Sequence, residues 1–413
     1  MRFVDMTEAK NTVPITEISK TKRRFKIQIS VFINVIMRNV KTRSMEQKMR
    51  NLTFGLLGIS LTACLEAQPA PDILKIPMSD FNVESLVEGL KHPWAVAEYN
   101  EGFYITERIG QLFYVSAGGR QEIKGLPNDI YVEGQAGLFD VRMKNNLLYI
   151  SYAYGNSKTN GTALISARVE GNNLIEIKTL FRSTPTKDTH SHFGGRIDFL
   201  PDETLVLTTG EGFKYREAAQ DLNSHLGKTI RLALDGGTPN NNPKLGDKRQ
   251  IYSYGHRNVQ GLAYDAARGD LWAHEHGPRG GDELNLIKAG ENYGWPIVSK
   301  GLDYNGAKIT PHKSYPGMQD GIHVWTPSIA ASGLAIYRGD MFPDWNGDAL
   351  VGGLVSRDIR LIDLENGKSM GEVSILSDLD ERVRDVRVDK DGAILVLTDD
   401  PENGKLLRIT PKK

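Results

Sequence analysis

The sequence predicts an all-β fold: a six-bladed β-propeller with four-stranded blades, preceded by a non-globular N-terminal leader. Three observations predict it. After Phe81 helical periodicity is scarce, short apolar strands recur, and each strand follows a polar or glycine-containing turn. The 413 residues contain one Cys and 51 basic against 51 acidic side chains. An intrachain disulfide framework is therefore excluded, and the zero net charge argues against a nucleic-acid partner.

The N-terminal 63 residues differ in charge from the rest of the chain. They contain 12 Lys and Arg against 4 Asp and Glu, whereas the remainder contains 39 against 47. The basic Lys48-Met49-Arg50 precedes an uncharged stretch from Leu52 to Ala63. This is the pattern of a signal peptide, with an apolar region too short to span a bilayer. We therefore predict that residues 1–63 are a leader outside the fold.

A lipidation site is predicted at the end of the leader. The segment 61–64, Leu-Thr-Ala-Cys, resembles a bacterial lipobox, in which the Cys becomes the lipid-modified first residue of the mature protein. We therefore expect a protein on the periplasmic side of a bacterial envelope, held to the membrane by a lipid on Cys64 alone. Residues 64–79 contain Ala-Gln-Pro-Ala-Pro and are predicted to be a linker. The propeller domain is predicted at 80–413.

Six short apolar segments of similar form recur along this domain. They begin at Phe103, Leu148, Leu205, Leu271, Leu350 and Leu395, with separations of 45, 57, 66, 79 and 45 residues. Four short strands with their loops need about 40–50 residues, so each segment indicates one propeller blade. A single β-sandwich is the alternative, but roughly 340 residues is too long for it. Because loops from several blades supply a propeller's site, we expect functional residues to be scattered along the chain.

Polar motifs that a core would not require occur at five places in the domain. They are His192-x-Gly194-Gly195-Arg196, Gly255-His256-Arg257-Asn258-x-Gln260-Gly261, Gly277-Pro278 through Asp282-Glu283-Leu284-Asn285, Asn292-Tyr293-Gly294-Trp295-Pro296 and Arg382-x-Arg384-Asp385-Val386. In this order they resemble the soluble pyrroloquinoline-quinone (PQQ) dependent sugar dehydrogenases, a family of six-bladed propellers, over roughly residues 83–410. The resemblance implies oxidation of the C1 hydroxyl of an aldose to a lactone. It also implies PQQ and Ca²⁺ as cofactors and a quinone or cytochrome as the electron acceptor.

Four side chains are candidates for binding PQQ, a flat tricarboxylate quinone. Guanidinium groups pair with carboxylates in a planar, bidentate way, and Arg257, Arg382 and Arg384 can supply them. Asn258 can supply a neutral hydrogen bond. By resemblance, Arg382 and Arg384 reach the cofactor from the last blade. Their spacing alone favours two arginines on the exposed face of a strand, whereas the order of the motifs favours the cofactor site.

His192 is the predicted general base. Removing hydride from a sugar C–OH requires a base for the hydroxyl proton, and His, with an ordinary pKa of about 6.5, suits that task. The resemblance gives this role to His192 and places Gln135 beside the substrate. His190 is the competing candidate, because it shares a face with His192 in an extended segment. The family has an Asp before the base, where this chain has Ser191, so another residue is needed to support the imidazole.

The resemblance also implies two calcium sites. Ca²⁺ takes oxygen ligands, including backbone carbonyls. Gly277 and Pro278 match the residues whose carbonyls hold the Ca²⁺ that polarises PQQ, and Asp282 is a candidate ligand through water. Glu283 and Tyr293 match residues at a second, structural calcium.

The longest interval between the repeated segments concerns substrate choice, and one feature of the fifth blade concerns binding affinity. The family often has a Lys that pairs with PQQ at the end of a strand there, and Val355 stands at that position. Arg357 could compensate from nearby. The 79-residue interval between Leu271 and Leu350 is where we expect the choice of sugar to be controlled.

Two other functions remain open from the sequence. The pairs His190/His192 and His274/His276 could bind a transition metal in a propeller lactonase or related hydrolase. A non-catalytic, cell-surface binding propeller is the second alternative, and the missing Lys favours it. A nucleotide-dependent dehydrogenase is disfavoured, because no Gly-x-Gly-x-x-Gly follows a strand and opens a helix.

Overall fold

The computed structural model describes residues 73–412, which form 25 strands and three 3₁₀ turns. In chain order the strands are β1 (Leu74–Ile76), β2 (Phe81–Leu90), β3 (Pro93–Tyr99), β4 (Gly102–Glu107), β5 (Gln111–Ser116), β6 (Gly119–Glu122), β7 (Leu138–Lys144), β8 (Leu147–Gly155), β9 (Asn160–Glu170), β10 (Asn173–Arg182), β11 (Gly194–Phe199), β12 (Thr204–Thr209), β13 (Lys228–Ala233), β14 (Ile251–Tyr254), β15 (Val259–Asp265), β16 (Asp270–Glu275), β17 (Asp282–Ile287), β18 (His323–Trp325), β19 (Ala331–Ile336), β20 (Ala349–Gly353), β21 (Ile359–Glu365), β22 (Lys368–Ile375), β23 (Val383–Val388), β24 (Ile394–Thr398) and β25 (Gly404–Pro411). The turns are Met78–Asp80, Arg216–Ala219 and Pro343–Trp345. Over the same residues, no helix combines the length and apolar character needed to cross a bilayer.

The strands form six blades around a common axis. From the inner strand outward the blades are β3-β4-β5-β6, β7-β8-β9-β10, β11-β12-β13-β14, β15-β16-β17-β18, β19-β20-β21-β22 and β23-β24-β25-β2, numbered 1 to 6. The inner strands β3, β7, β11, β15, β19 and β23 contact one another in a closed ring. The predicted six-bladed propeller with four-stranded blades is confirmed.

The six repeated segments occupy equivalent positions in this ring. They lie on β4, β8, β12, β16, β20 and β24, the second strand of every blade. Strands β12 and β24 are buried along their whole length, because neighbouring blades cover both of their faces. A strand buried on both faces has a continuous apolar run, which is why the sequence showed the repeat. The longest interval contains the 288–322 loop between β17 and β18.

The N-terminal end of the domain closes the ring and corrects one boundary. Strand β2 pairs antiparallel with β25, so blade 6 combines both ends of the propeller. Strand β1 adds to β22 in parallel, with Ile76 opposite Ile375. The predicted linker at 64–79 is therefore wrong for 74–79, which pairs with blade 5 and enters a 3₁₀ turn. The leader 1–63, the lipobox and Cys64 lie outside the described residues.

A buried arginine joins four blades near the axis. Arg196 on β11 is fully buried, and its Nη1 donates to Oδ1 of Asp385 on β23 at 2.8 Å. Its Nε donates to the carbonyl of Gln260 on β15 at 2.8 Å, and its Nη2 to that of Arg384 at 2.9 Å. The guanidinium also lies 4.1 Å from the ring centre of Trp94 on β3. Blades 1, 3, 4 and 6 are therefore linked through one side chain.

A second buried carboxylate extends this network to blade 2. Asp140 on β7 accepts a hydrogen bond from Nη2 of Arg387 at 3.2 Å and one from the backbone N–H of Ile197 at 2.9 Å. Nε of Arg387 lies 3.2 Å from Oδ2 of Asp385. Buried ions need partners because leaving one unpaired in a low dielectric is costly. The inner strands are thereby held in one mutual arrangement.

We expect Asp385→Ala to destabilise the propeller strongly, because it leaves Arg196 and Arg387 buried without their shared counter-charge. Removing one partner of a buried pair costs about 3–5 kcal/mol. Denaturant unfolding followed by tryptophan fluorescence measures this change in the free energy of unfolding. The matched control is Asp380→Ala, which removes a largely exposed partner of Arg357 and should change stability little. Equal effects of the two substitutions would contradict a central role for the network.

Candidate active site

All six blades line a cavity of about 400 Å³. Its walls are formed where the inner strands begin, as at Trp94 and Gly194, and where the second strands end, as at Arg108 and Asp399. These positions meet because the inner and second strands of each blade are antiparallel, so the start of one lies beside the end of the other. The cavity falls in the size range of about 300–1,000 Å³ that is typical of small-molecule sites.

Four of the predicted site residues line this cavity: Gln135, Asn258, Arg382 and Arg384. Nη2 of Arg384 donates to Oδ2 of Asp399 at 3.0 Å, and Nη1 of Arg382 donates to the carbonyl of Leu354 at 3.1 Å. The Arg384 side chain is only 12% exposed. The alternative of two arginines on an exposed strand face is therefore wrong for Arg384.

Asp399 is the carboxylate that faces these arginines, and the sequence did not single it out. Burial alone would raise its pKa, but the charge of Arg384 and hydrogen bonds from His92 and Arg384 hold the pKa well below its usual range. Nδ1 of His92 lies 3.1 Å from its Oδ1. Asp399 is therefore ionised at neutral pH and fixes Arg384 at the cavity wall.

Arg257 is buried and lines a second, smaller cavity. Its Nη1 donates to the carbonyls of His276 at 3.1 Å and Gly277 at 3.0 Å. Its Nε is buried without a hydrogen-bond partner. The adjacent Asn258 accepts a hydrogen bond at Oδ1 from the backbone N–H of Gly194 at 3.2 Å. His276 lines both cavities, so the two are neighbours.

The small cavity, of about 20 Å³, is lined by four of the predicted calcium ligands: Gly277, Pro278, Glu283 and Tyr293. That volume has room for about one water-sized particle. Burial raises the pKa of Glu283 to about 8, although the charge of Lys300 opposes this shift. Nζ of Lys300 lies 4.0 Å from Oε1 of Glu283. A buried carboxylate and loop carbonyls are oxygen donors of the kind that a hard cation prefers.

Asp282, the remaining calcium candidate, has a different environment. Its Oδ1 accepts a hydrogen bond from the backbone N–H of Gly277 at 2.9 Å. Its Oδ2 accepts hydrogen bonds from Oγ of Ser328 at 2.6 Å and the N–H of Ala330 at 2.8 Å. The carboxylate thus ties the Gly277 loop to the residues that precede β19. Tyr293 likewise uses its hydroxyl internally, donating to the carbonyl of Leu286 at 2.7 Å.

His192 lies in the connection between blades 2 and 3 and is almost fully buried. Its φ of 53° is in the left-handed region, and its backbone N–H donates to Oε1 of Gln135 at 2.8 Å. A Cβ at Gly210 would come within 2.3 Å of the His192 carbonyl oxygen, so the close approach requires glycine there. Burial, followed by the charge of Arg257, lowers the pKa of His192 well below its ordinary value. The imidazole is therefore neutral at pH 7.

Glu211 supports this imidazole, and sequence reasoning missed it. Oε1 of Glu211 lies 3.0 Å from Nδ1 of His192, while its Oε2 is buried without a hydrogen-bond partner. Burial raises the pKa of Glu211 to about 7. Ser191 cannot support the imidazole of His192 as the family's Asp does. Glu211, which follows the second strand of blade 3, supports it instead. The signal in the sequence was an acidic residue directly after the repeated segment, in Thr208-Thr209-Gly210-Glu211.

Val355, which stands where relatives often have Lys, and the nearby Arg357 have different surroundings. Val355 lines the large cavity with its apolar side chain. Arg357 instead directs Nη1 to Oδ1 of Asp380 at 2.8 Å, and half of its side chain is exposed. Arg357 therefore does not compensate for the missing charge. A different arginine, Arg108, lines the cavity and was not predicted.

The two His-x-His pairs do not form metal sites. His190 is exposed and lies 3.6 Å from Glu133, whereas its pair member His192 contacts Glu211. His274 and His276 each direct Nε2 to a backbone carbonyl of blade 5, at 2.9 and 2.7 Å. Throughout 73–412, no group of three or more His, Cys, Asp or Glu side chains could hold a metal ion. A transition-metal hydrolase therefore lacks its ligand set in this part of the chain.

The exposed aromatic side chain of Phe213 contacts His192, and a second exposed aromatic side chain, Tyr304, lies next to Phe213. The Phe213 ring meets the imidazole edge-on at 5.3 Å, and the Tyr304 ring lies 6.2 Å from Phe213. Phe213 has a φ of 66°, which is unusual for a bulky residue and indicates a constrained loop. Tyr304 belongs to the 288–322 loop and accepts a hydrogen bond from Arg257 at 3.3 Å. The long insertion thus reaches Arg257 and the aromatic ring that contacts the predicted base.

Comparison with known proteins agrees with this geometry. The family model described as Glucose / Sorbosone dehydrogenase matches residues 90–408. The aldose sugar dehydrogenase of Escherichia coli is 37% identical over 86% of this chain and 97% of its own length. The crystal structure of that soluble enzyme in its apo form superposes with a TM-score of 0.77 over 80% of this chain and all of that one.

A PQQ-bound structure is also among the similar proteins. The aldose sugar dehydrogenase of Streptomyces coelicolor, solved in its PQQ-bound form, is 26% identical, with a TM-score of 0.65 over 81% of this chain and 99% of that one. Sequence and structure therefore agree over nearly the whole propeller. This chain belongs to the glucose/sorbosone dehydrogenase family, whose PQQ-dependent sugar dehydrogenases its sequence resembled.

Proposed function

We propose that this protein oxidises the C1 hydroxyl of aldose sugars to lactones, with PQQ and Ca²⁺ as cofactors. One observation carries the proposal: the buried imidazole of His192 adjoins Gln135 and Phe193, which line a cavity that arginines from blades 1 and 6 also line. Family membership and the PQQ-bound relative support it. The electrons would pass to a quinone or cytochrome. Lipid attachment at Cys64 would keep the enzyme at the periplasmic side of the membrane.

The side chains of the large cavity suit an anionic cofactor. Arg382 and Arg384 face it with Asp399 as their carboxylate partner, so positive charge is in excess there. The unpartnered Nε of the buried Arg257 is a further donor nearby. Guanidinium groups of this kind would hold the carboxylates of PQQ. When bound, PQQ supplies the oxidant that accepts hydride from the sugar C1.

His192 would act as the general base on the sugar. Its Nδ1 faces Glu211, so Nε2 is the nitrogen left to accept the proton of the C1 hydroxyl. As that proton arrives, the Glu211 carboxylate would stabilise the imidazolium that forms. Gln135 holds the backbone of His192 and lines the cavity, so it would fix the base beside the substrate. Glu211 is therefore a positioning residue, and His192 the catalytic one.

The small cavity would hold calcium beside the cofactor. The carbonyls of Gly277 and Pro278 would supply oxygen ligands, and the carboxylate of Glu283 lines the same cavity. A cation here would polarise the bound quinone as a Lewis acid. Asp282 would act indirectly, by shaping the Gly277 loop. Use of Glu283 and Tyr293 at a separate, structural calcium stays a prediction.

The first test is reconstitution. We expect the protein purified without cofactor to reduce a dye with aldoses once PQQ and Ca²⁺ are added. His192→Ala should lose nearly all turnover, because the hydroxyl proton has no acceptor, and should keep its affinity for PQQ. His190→Ala is the matched control and should retain activity, since its side chain is exposed. Full turnover by His192→Ala would exclude it as the base, and no PQQ-dependent turnover by the unmodified protein would overturn the proposed function.

The second test concerns Glu211. We expect Glu211→Gln to lower kcat about 100-fold or more, because the imidazolium loses its counter-charge. Activity falls on acidification as His192 becomes protonated. Removing the carboxylate further disfavours the protonated form, so the acidic limb of the kcat profile should move to lower pH. Glu133→Gln, beside His190, is the control. An unchanged kcat and acidic limb in Glu211→Gln would show that the pairing is only structural.

The third test concerns calcium. A ligand that binds only the folded protein at 100 times its Kd stabilises it by about 2.7 kcal/mol. We expect Ca²⁺ to raise the Tm of the chelator-treated protein accordingly, and Glu283→Gln to reduce this rise. Asp320→Asn is the control, since Asp320 also faces Lys300, at 3.5 Å, but does not line the small cavity. A Tm of the unmodified protein that is independent of Ca²⁺ would remove calcium from the proposal.

A further inference from the structure

Arg108 is held at the wall of the large cavity by contacts between blades 1 and 2. It directly follows β4, and its backbone N–H donates to the carbonyl of His92 at 2.9 Å. Its own carbonyl accepts from the N–H of Leu138 at 3.1 Å, and its Nη1 donates to the carbonyl of Gly134. A Cβ at Gly137 would come within 1.9 Å of the Arg108 carbonyl oxygen. The position of Arg108 is therefore fixed by close backbone packing.

Arg108 has no ion-pair partner among the described residues. No carboxylate lies within 4 Å of its guanidinium anywhere in 73–412, and the cavity's Asp399 is already paired with Arg384 and Arg382 at 3.0 and 3.5 Å. Burial, followed by the charge of Arg384, lowers the pKa of Arg108, and the charge of Asp399 opposes this shift only in part. Two guanidiniums thus repel each other across one cavity, and an anion between them would remove that repulsion.

Position 355, where relatives often have Lys, carries no cationic side chain. Val355 lines the same cavity as Arg108 with an apolar side chain, and Arg357 faces Asp380 at the surface. Within the described residues, the side chains lining this cavity that can carry a positive charge in addition to Arg382 and Arg384 are therefore Arg108, His92 and His276. Of these, Arg108 carries a permanent charge in a planar fork.

We propose that Arg108 binds a carboxylate of PQQ and supplies, from blade 1, the positive charge that relatives often supply by Lys at the position of Val355. The inference rests on the proposed function. It assigns the cofactor three cavity arginines from two blades, Arg108, Arg382 and Arg384, in addition to Arg257. A structural role is the alternative, in which Arg108 only holds the Gly134 carbonyl and thereby the neighbouring Gln135.

The test is the affinity of the cofactor-free, full-length protein for PQQ at fixed Ca²⁺. Quenching of tryptophan fluorescence reports binding, since Trp94 lines the cavity. We expect Arg108→Ala to raise the Kd about 10- to 100-fold, the effect of losing one charge-assisted contact. Arg108→Lys should lose less. Arg357→Ala, which removes a surface charge, is the matched control and should bind as the unmodified protein does.

A rescue variant separates binding from folding. In the Arg108→Ala background, Val355→Lys should restore most of the affinity, because it returns a cation to the same cavity. Unchanged affinity in Arg108→Ala would overturn the inference and leave the proposed function intact. A loss that neither Arg108→Lys nor Val355→Lys repairs, together with a lowered Tm, would show a structural role only. Failure of the unmodified protein to bind PQQ would overturn both proposals.

Discussion

The buried ion pair between Arg196 and Asp385 is the contact on which the geometry of the site depends. Arg196 reaches from blade 3 to blade 6 and also binds the backbone carbonyl of Arg384. That carbonyl belongs to the residue whose side chain faces the cavity. The network that holds the blades in register therefore also fixes the position of a candidate cofactor ligand. A propeller needs such a device, because each inner strand otherwise contacts only its neighbours.

Irregular pairing at the start of every inner strand brings these side chains to the axis. All six blades have a register shift between the inner and second strand near that end, for example between Val383 and Asp385 in blade 6. A bulge re-aims side chains, so Arg384 and Asp385, although adjacent, can both point inward. Regular alternation would have sent one of them to the opposite face. Charged residues from successive blades therefore lie at the same end of the propeller.

The sequence predicted the fold better than the site. The repeated segments were visible because the second strands are buried on both faces and are continuously apolar, as at Leu205 to Thr208. Glu211 and Asp399 were missed because their partners lie in other segments of the chain. A periodic signal was nevertheless present: His192 and Glu211 are 19 residues apart, as are His256 and Glu275, and both pairs join Nδ1 to a carboxylate at about 3 Å. Comparing equivalent positions between blades would have found Glu211. Arg108 carried no such signal, since only the folded ring brings it to Val355.

The two halves of the site are coupled by charge. After burial, the charge of Arg257 is the main influence that lowers the pKa of His192, so the arginines proposed to attract an anionic cofactor would also weaken the proposed base. Glu211 opposes this effect only in part, because burial raises its own pKa to about 7 and the charged form is disfavoured. An anion bound among the arginines would offset their charge and make the imidazole a stronger proton acceptor. If His192 is the base, it would gain its strength when the cofactor is in place. Under the proposed function, cofactor binding and proton removal would therefore be linked through the field of the same guanidiniums.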